Sequence, residues 1–185
     1  MRSFSDKDLW FTFRKGNKNA ISAIYSKYFP ELYRYGLKFT SNTYFIEDSI
    51  QDLFVELMKN HKTIGDTDNI LFYLLKSFRR QLFRRLEKEK RYDLTNEITE
   101  DHTFSVIWSV EQAFIQNEEK EFQTTMLTKV MHDLTARQKE AVYLRFTKEL
   151  DYREIAEIMN ISIEACRNLI TKAVAKLREA ITRKD

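Results

Sequence analysis

A single cysteine, Cys166, stands in 185 residues. It excludes an intramolecular disulfide and leaves no thiolate cluster for zinc. The chain has one proline and three glycines, where average usage would be roughly 5% and 7%. Turn-rich β-sandwiches, barrels and glycine-cradled nucleotide folds need both residues at many turns. The scarcity therefore points to an all-α chain with short connections. No run approaches the roughly 20 apolar residues of a membrane span. Residues 1–8 carry charge with no apolar segment behind it, unlike a signal peptide. A cytoplasmic protein is expected.

Chemistry-bearing patterns are also scarce. His61, His102 and His132 have no ligand-like spacing. Asp66-Thr67-Asp68-Asn69 opens like a calcium loop, but the required glycine and the glutamate at the twelfth position are missing. Phosphate-loop and nucleophile-elbow patterns do not occur. The expectation is no metal, no cofactor and no catalysis. Cys166 falls on an apolar helical stripe, where packing is its ordinary role.

What is present is a blocked charge pattern. Net charge is only +3, but residues 76–91 hold eight cations, Lys76, Arg79, Arg80, Arg84, Arg85, Lys88, Lys90 and Arg91, against Glu87 and Glu89. Residues 92–119 contain no Lys or Arg and seven acids. The C-terminal part turns basic again, through Arg167, Lys172, Lys176, Arg178, Arg183 and Lys184. Basic helical stripes are the footprint of phosphate binding, although any one of them taken alone reads as a solvated face.

Hydrophobic spacing predicts the helices. Ser5 caps a short helix through Leu9, Trp10 and Phe13, which breaks at Gly16-Asn17. Ile21 to Phe29 form the next face, and Pro30 is expected at the start of a further helix. Ile46, Ile50, Leu53, Phe54 and Leu57 line an amphipathic helix whose other side is acidic. After a polar loop over 61–69, Leu71, Leu74, Leu75, Phe78, Leu82 and Leu86 make a long stripe flanked by cations and by Phe72, Tyr73 and Phe83. Residues 93–118 read as an acidic linker, although Phe104, Trp108 and Phe114 are too apolar for a freely solvated tether. A helix is expected from Glu119 through Phe122, Met126, Val130 and Met131. Thr135 with Gln138 forms a capping box, and Ala141, Val142, Leu144 and Phe146 are the expected buried face.

The sharpest local pattern runs from Tyr152 to Arg178. Asp151 caps a short helix containing the small residue Ala156. Asn160-Ile161-Ser162 supplies an αL-tolerant turn residue, a core plug and a cap. Ile163, Cys166, Ile170, Ala173, Val174 and Leu177 form the buried stripe of a longer helix. This is a helix-turn-helix, whose second helix enters the major groove. Its outer face would carry Glu164, Ala165, Arg167, Asn168, Thr171 and Lys172 behind the capping Ser162. Arg and Asn suit bidentate base reading. Lys176 and Arg178 suit phosphates.

The string from Leu150 to Ser162, LDYREIAEIMNIS, resembles the last domain of bacterial sigma factors. Residues 133–145, DLTARQKEAVYLR, resemble that domain's opening, and residues 25–33 and 46–57 resemble the polymerase-gripping domain. Two helical domains with no middle domain are similar to the extracytoplasmic-function group. The resemblance implies domains over 1–92 and 119–185 joined by the linker over 93–118. It implies core-polymerase contacts by Asp48, Gln51, Asp52, Phe54, Val55, Glu56 and Leu57. It implies minus-ten contacts by Asn69, Tyr73, Lys76, Arg79, Arg80 and Arg84, with the outer face of the last helix reading the minus-thirty-five element. The implied partners are core RNA polymerase, promoter DNA and an anti-sigma factor, often membrane-anchored. The linker would thread the polymerase channel that later carries RNA. Two departures stand out: members usually have Arg-Asn where this chain has Arg79-Arg80, and an Arg is common where this chain has Leu169.

The competing reading is a conventional helix-turn-helix regulator that binds duplex DNA without polymerase. Such a protein needs a ligand or dimerisation domain. An acidic helix followed by an Arg-aromatic helix is neither.

Overall fold

The computed structural model describes residues 5–92, 104 and 133–182. All regular structure among them is helical. The chain divides into two compact units, Met1–Ile98 and Thr99–Asp185. The expected linker lies outside the described residues except for Phe104, and so does the expected helix over 119–131.

The first unit is a four-helix assembly: α1 (Asp6–Arg14), α2 (Lys18–Gly36), α3 (Thr43–Asn60) and α4 (Ile70–Tyr92). Short polar residues start the helices. Ser5, Asn17 and Asn42 each accept first-turn N–H groups that have no intrahelical acceptor. Asn69 does the same for α4, its Oδ1 accepting from Phe72 N at 3.0 Å. The apolar stripes converge on one core, in which Ile24, Leu32, Tyr35, Ile46, Ile50, Ile70, Leu74, Leu75, Phe78 and Leu82 are fully buried. Gly36 permits a close approach of α2 to α3 and α4. A Cβ there would lie 2.8 Å from Ile46 Cγ2 and 3.1 Å from Phe78 Cζ.

One expected boundary is absent. Pro30 lies inside α2 and does not open a new helix. Its ring is exposed, and Tyr28 and Leu32 on either side are buried. Burial of that face outweighs the hydrogen bond that proline cannot donate, a loss of about 3 kcal/mol in an isolated helix.

In the second unit, α5 (Ala136–Val142) runs into a π-helical turn (Tyr143–Thr147), followed by α6 (Tyr152–Met159) and α7 (Ile163–Thr182). Both capping boxes are present, at Thr135/Gln138 and at Asp151/Glu154. Asn160 adopts φ 53, ψ 53, the left-handed conformation that makes the tight turn. Ser162 Oγ then accepts from Ala165 N at 3.0 Å. Leu144, Leu150, Ile155, Ile158, Met159, Cys166, Ile170 and Ala173 fill the core. Burial pushes the Cys166 thiol pKa up, against the smaller opposing effect of Arg145, so the side chain stays a neutral packing group. Phe104 is buried, its ring 5.8 Å from that of Tyr143, so this part of the expected linker packs.

In this unit, two positions depart from the expected stripes. Phe146 is 61% exposed. The π-helical turn is wider than an α-turn and rotates the residues after Val142 out of the α-register. Ile163 is 42% exposed, because the apolar stripe of α7 closes onto the core only from Cys166 onward.

Candidate nucleic-acid interface

Two faces of α4 carry the basic and aromatic residues. Phe72, Lys76, Arg79 and Phe83 follow one another at helical spacing. Lys76 Nζ lies 5.8 Å from the Phe72 ring centroid, and the Arg79 guanidinium lies 4.2 Å from that of Phe83. Tyr73, Arg80 and Arg84 form the neighbouring strip, with both arginines exposed. Such alternation of cation and ring is what a single nucleic-acid strand uses, one part for phosphates and the other for bases. Asn69 is half-buried at the helix start, where its side chain also serves as the cap.

Tyr73 lies on the wall of a cavity of about 50 Å³ between α3 and α4, shared with Leu53, Glu56, Leu57, Asn60, Ile64, Ser77 and Arg80. Its ring packs 4.9 Å from Trp10. Burial first, and the Glu56 carboxylate second, push its hydroxyl pKa up, against Arg80. The tyrosine therefore keeps its hydroxyl proton, and Ile64 of the loop over 61–69 lines the same cavity. That loop is pinned to α1. Trp10 Nε1 donates to Gly65 O at 3.0 Å, Arg14 pairs with Asp66, and Lys7 lies 3.6 Å from Asp68. Sequence spacing gives no sign of these anchors, because they join positions more than fifty residues apart.

Helix α3 presents the acidic face. Asp48, Gln51, Asp52, Val55 and Glu56 are exposed. Phe54 and Leu57 are not, at 4% and 3% exposure, and this corrects the expectation that they face a partner. They pack into the unit's own core and hold the helix whose outer side is acidic. Arg85 of α4 bridges to Asp48 at 3.3 Å and to Asp52, and Gln81 Nε2 donates to Glu56 Oε2 at 2.7 Å. The acidic and basic helices are thus tied directly to each other.

In the second unit, Ser162, Glu164, Arg167, Asn168, Thr171, Lys172 and Lys176 are all exposed along one side of α7, with Ala165 half-buried. Lys176 Nζ donates to Asp133 O at 3.1 Å. This is the outer face of the second helix of a helix-turn-helix, the helix that such motifs place in the major groove. Among the described residues no group of His, Cys, Asp and Glu is placed to hold a metal. None of the described helices is long and apolar enough to cross a membrane.

Fold and faces together define a helical DNA-recognition protein with two separate units. Residues 24–92 match the Sigma-70 region 2 family and residues 130–179 match the Sigma-70, region 4 family. The chain is similar to the ECF RNA polymerase sigma factor SigM of Bacillus subtilis (strain 168), 27% identical over 164 residues, 88% of this chain and 96% of that one. Its fold is similar to that of CnrH, solved in complex with the cytosolic domain of CnrY, at 14% identity and TM-score 0.60, covering 98% of this chain and 100% of that one. It is also similar to the fold of the sigma factor RpoE of Bartonella quintana, solved with the anti-sigma factor NepR, at 16% identity and TM-score 0.59, covering 89% and 98%. The chain belongs to the sigma-70 family, in its extracytoplasmic-function (ECF) group. It is an alternative sigma factor, which binds core RNA polymerase and directs promoter recognition and initiation. Sigma factors recognise DNA without enzymatic chemistry of their own, and the catalysis belongs to the polymerase.

Proposed function

We propose that three faces divide this work. The exposed acids of α3, Asp48, Asp52 and Glu56, with Gln51 and Val55, dock on a basic surface of core polymerase. Phe54 and Leu57 support that face from inside. The loop over 61–69 and the α4 residues Asn69, Tyr73, Lys76, Arg79, Arg80 and Arg84 take the opened minus-ten strand. The outer face of α7 reads the minus-thirty-five duplex, with Arg167 and Asn168 toward bases and Lys172 and Lys176 toward phosphates. The observation that carries this reading is the direct link of the α3 acids to α4 through Arg85. A polymerase surface that engages one helix then lies beside the strand held by the other. The cavity at Tyr73 has room for only a few waters, so an unstacked base enters by displacing the Tyr73 or Arg80 side chain.

The functional domains extend over 1–92 and 119–185, and the acidic segment over 93–118 occupies a channel suited to RNA phosphates. CnrH and RpoE were solved with partner polypeptides. By extension an anti-sigma factor, soluble or membrane-anchored, covers the same faces here, in the cytoplasm. The test is transcription in vitro with sigma-free core polymerase and fragmented host DNA, followed by sequencing of RNA starts. Discrete starts sharing two upstream elements are expected. Tight binding to duplex DNA alone, with no protein-dependent starts, would refute the assignment.

A further inference from the structure

Tyr152, the first residue of α6, is approached by two guanidinium groups. Arg145 lies 5.0 Å and Arg167 5.7 Å from its ring centroid. Arg145 is itself fastened, donating from Nη1 to Leu150 O at 2.8 Å. Arg167 stands exposed on α7, with its guanidinium over the Tyr152 ring. We infer that Tyr152 is a positioning residue for DNA reading: its ring, held by Arg145, presets the Arg167 side chain for the groove. The inference rests on the assignment of Arg167 to the minus-thirty-five face. Its physical basis is the attraction of a cation to the ring face, together with the entropy of a long side chain that must otherwise be ordered at the moment of binding. Tyr152 is only half-buried, so its ring is not a core plug. The phenolic hydroxyl plays no part, and a bare phenyl ring performs the same task.

The experiment uses the full chain, reconstituted with core polymerase, on a promoter identified from its own transcription starts. Position 152 carries Tyr, then Phe, then pentafluorophenylalanine, which keeps the ring's shape but removes its attraction for cations. Each is made with Arg167 intact and with Arg167→Ala. Promoter binding is measured on templates with single base-pair changes in the minus-thirty-five element. Tyr152→Phe is expected to match the parent protein. The fluorinated ring is expected to weaken promoter binding about threefold to fivefold, only on templates where Arg167→Ala also costs affinity, and not in the Arg167→Ala background. An equal loss in both backgrounds, or a loss spread evenly over all templates, would overturn the inference in favour of a purely structural ring. If Arg167→Ala weakens binding but fluorination does not, the role of Tyr152 falls alone. If Arg167→Ala itself has no effect, both the role of Tyr152 and the assignment of Arg167 fall.

Discussion

Asn160 and Glu149 are the non-glycine residues with positive φ among those described, at 53° and 57°. Asn accepts this region better than other side chains, while Glu gains nothing from it. Asn160→Ala should therefore destabilise the second unit by about 1 kcal/mol and Asn160→Gly by much less, read from urea unfolding. A second residue-scale device joins α1 to α2 and α4. Asp6 accepts from Lys27 at 2.7 Å, from Tyr28 Oη at 2.5 Å and from Ile70 N at 3.3 Å. Burial opposes its ionisation, but these donors outweigh burial and hold its pKa below the usual value of 3.8. Burial and the Asp6 charge push the Tyr28 hydroxyl up to about 12. The signs differ. The Asp6 contribution is present above the unfolded carboxyl pKa and is lost as pH falls through the lower folded value. The Tyr28 contribution is complete below about pH 10 and is lost as pH rises toward 12. Asp6→Asn should flatten the acid arm of the stability–pH curve and Tyr28→Phe the alkaline arm, both read as denaturation midpoints across pH.

At the scale of elements, helix positions followed from caps and stripes, while close approaches did not. Gly36 is the last residue of α2. In the fold it is also the contact that lets α2 lie against Ile46 of α3 and Phe78 of α4. Gly36→Ala should destabilise the first unit by about 1–3 kcal/mol through overpacking, despite the better helix propensity of alanine, and a thermal melt would show a lowered midpoint. Phe146 behaves in the opposite way. Spacing places it in the core, but the π-helical turn leaves it exposed, so Phe146→Ser should change stability by less than about 0.5 kcal/mol. A cost above about 2 kcal/mol in chemical denaturation would show that the ring is buried after all.

For the whole molecule, the proposed division of faces makes the tasks of the two units separable. Asp48→Lys with Asp52→Lys should lower affinity for core polymerase at least tenfold while leaving the α7 face untouched. Arg167→Ala with Asn168→Ala should spare core affinity and weaken use of minus-thirty-five-dependent promoters, each bidentate contact being worth about 1–3 kcal/mol. Fluorescence titration with core polymerase and run-off transcription separate the two. Loss of core binding in the α7 variants would contradict the division. Removing Arg85 from its acid partners should cost under about 1 kcal/mol of stability, since both carboxylates are largely exposed.

Much of this was legible without coordinates. Scarce Gly and Pro, apolar spacing and capping residues determine an all-α chain, because helix periodicity and end chemistry are local properties of consecutive residues. The exposed face of α7 was legible for the same reason: once the buried stripe is assigned, the opposite side must face outward. Tertiary structure alone showed that α2 runs through Pro30 and that Arg85 holds the α3 acids. It alone showed that Tyr152 lies against both Arg145 and Arg167. Each of these depends on which helix faces which at a distance in the chain, and packing sets that where local periodicity has no access to it.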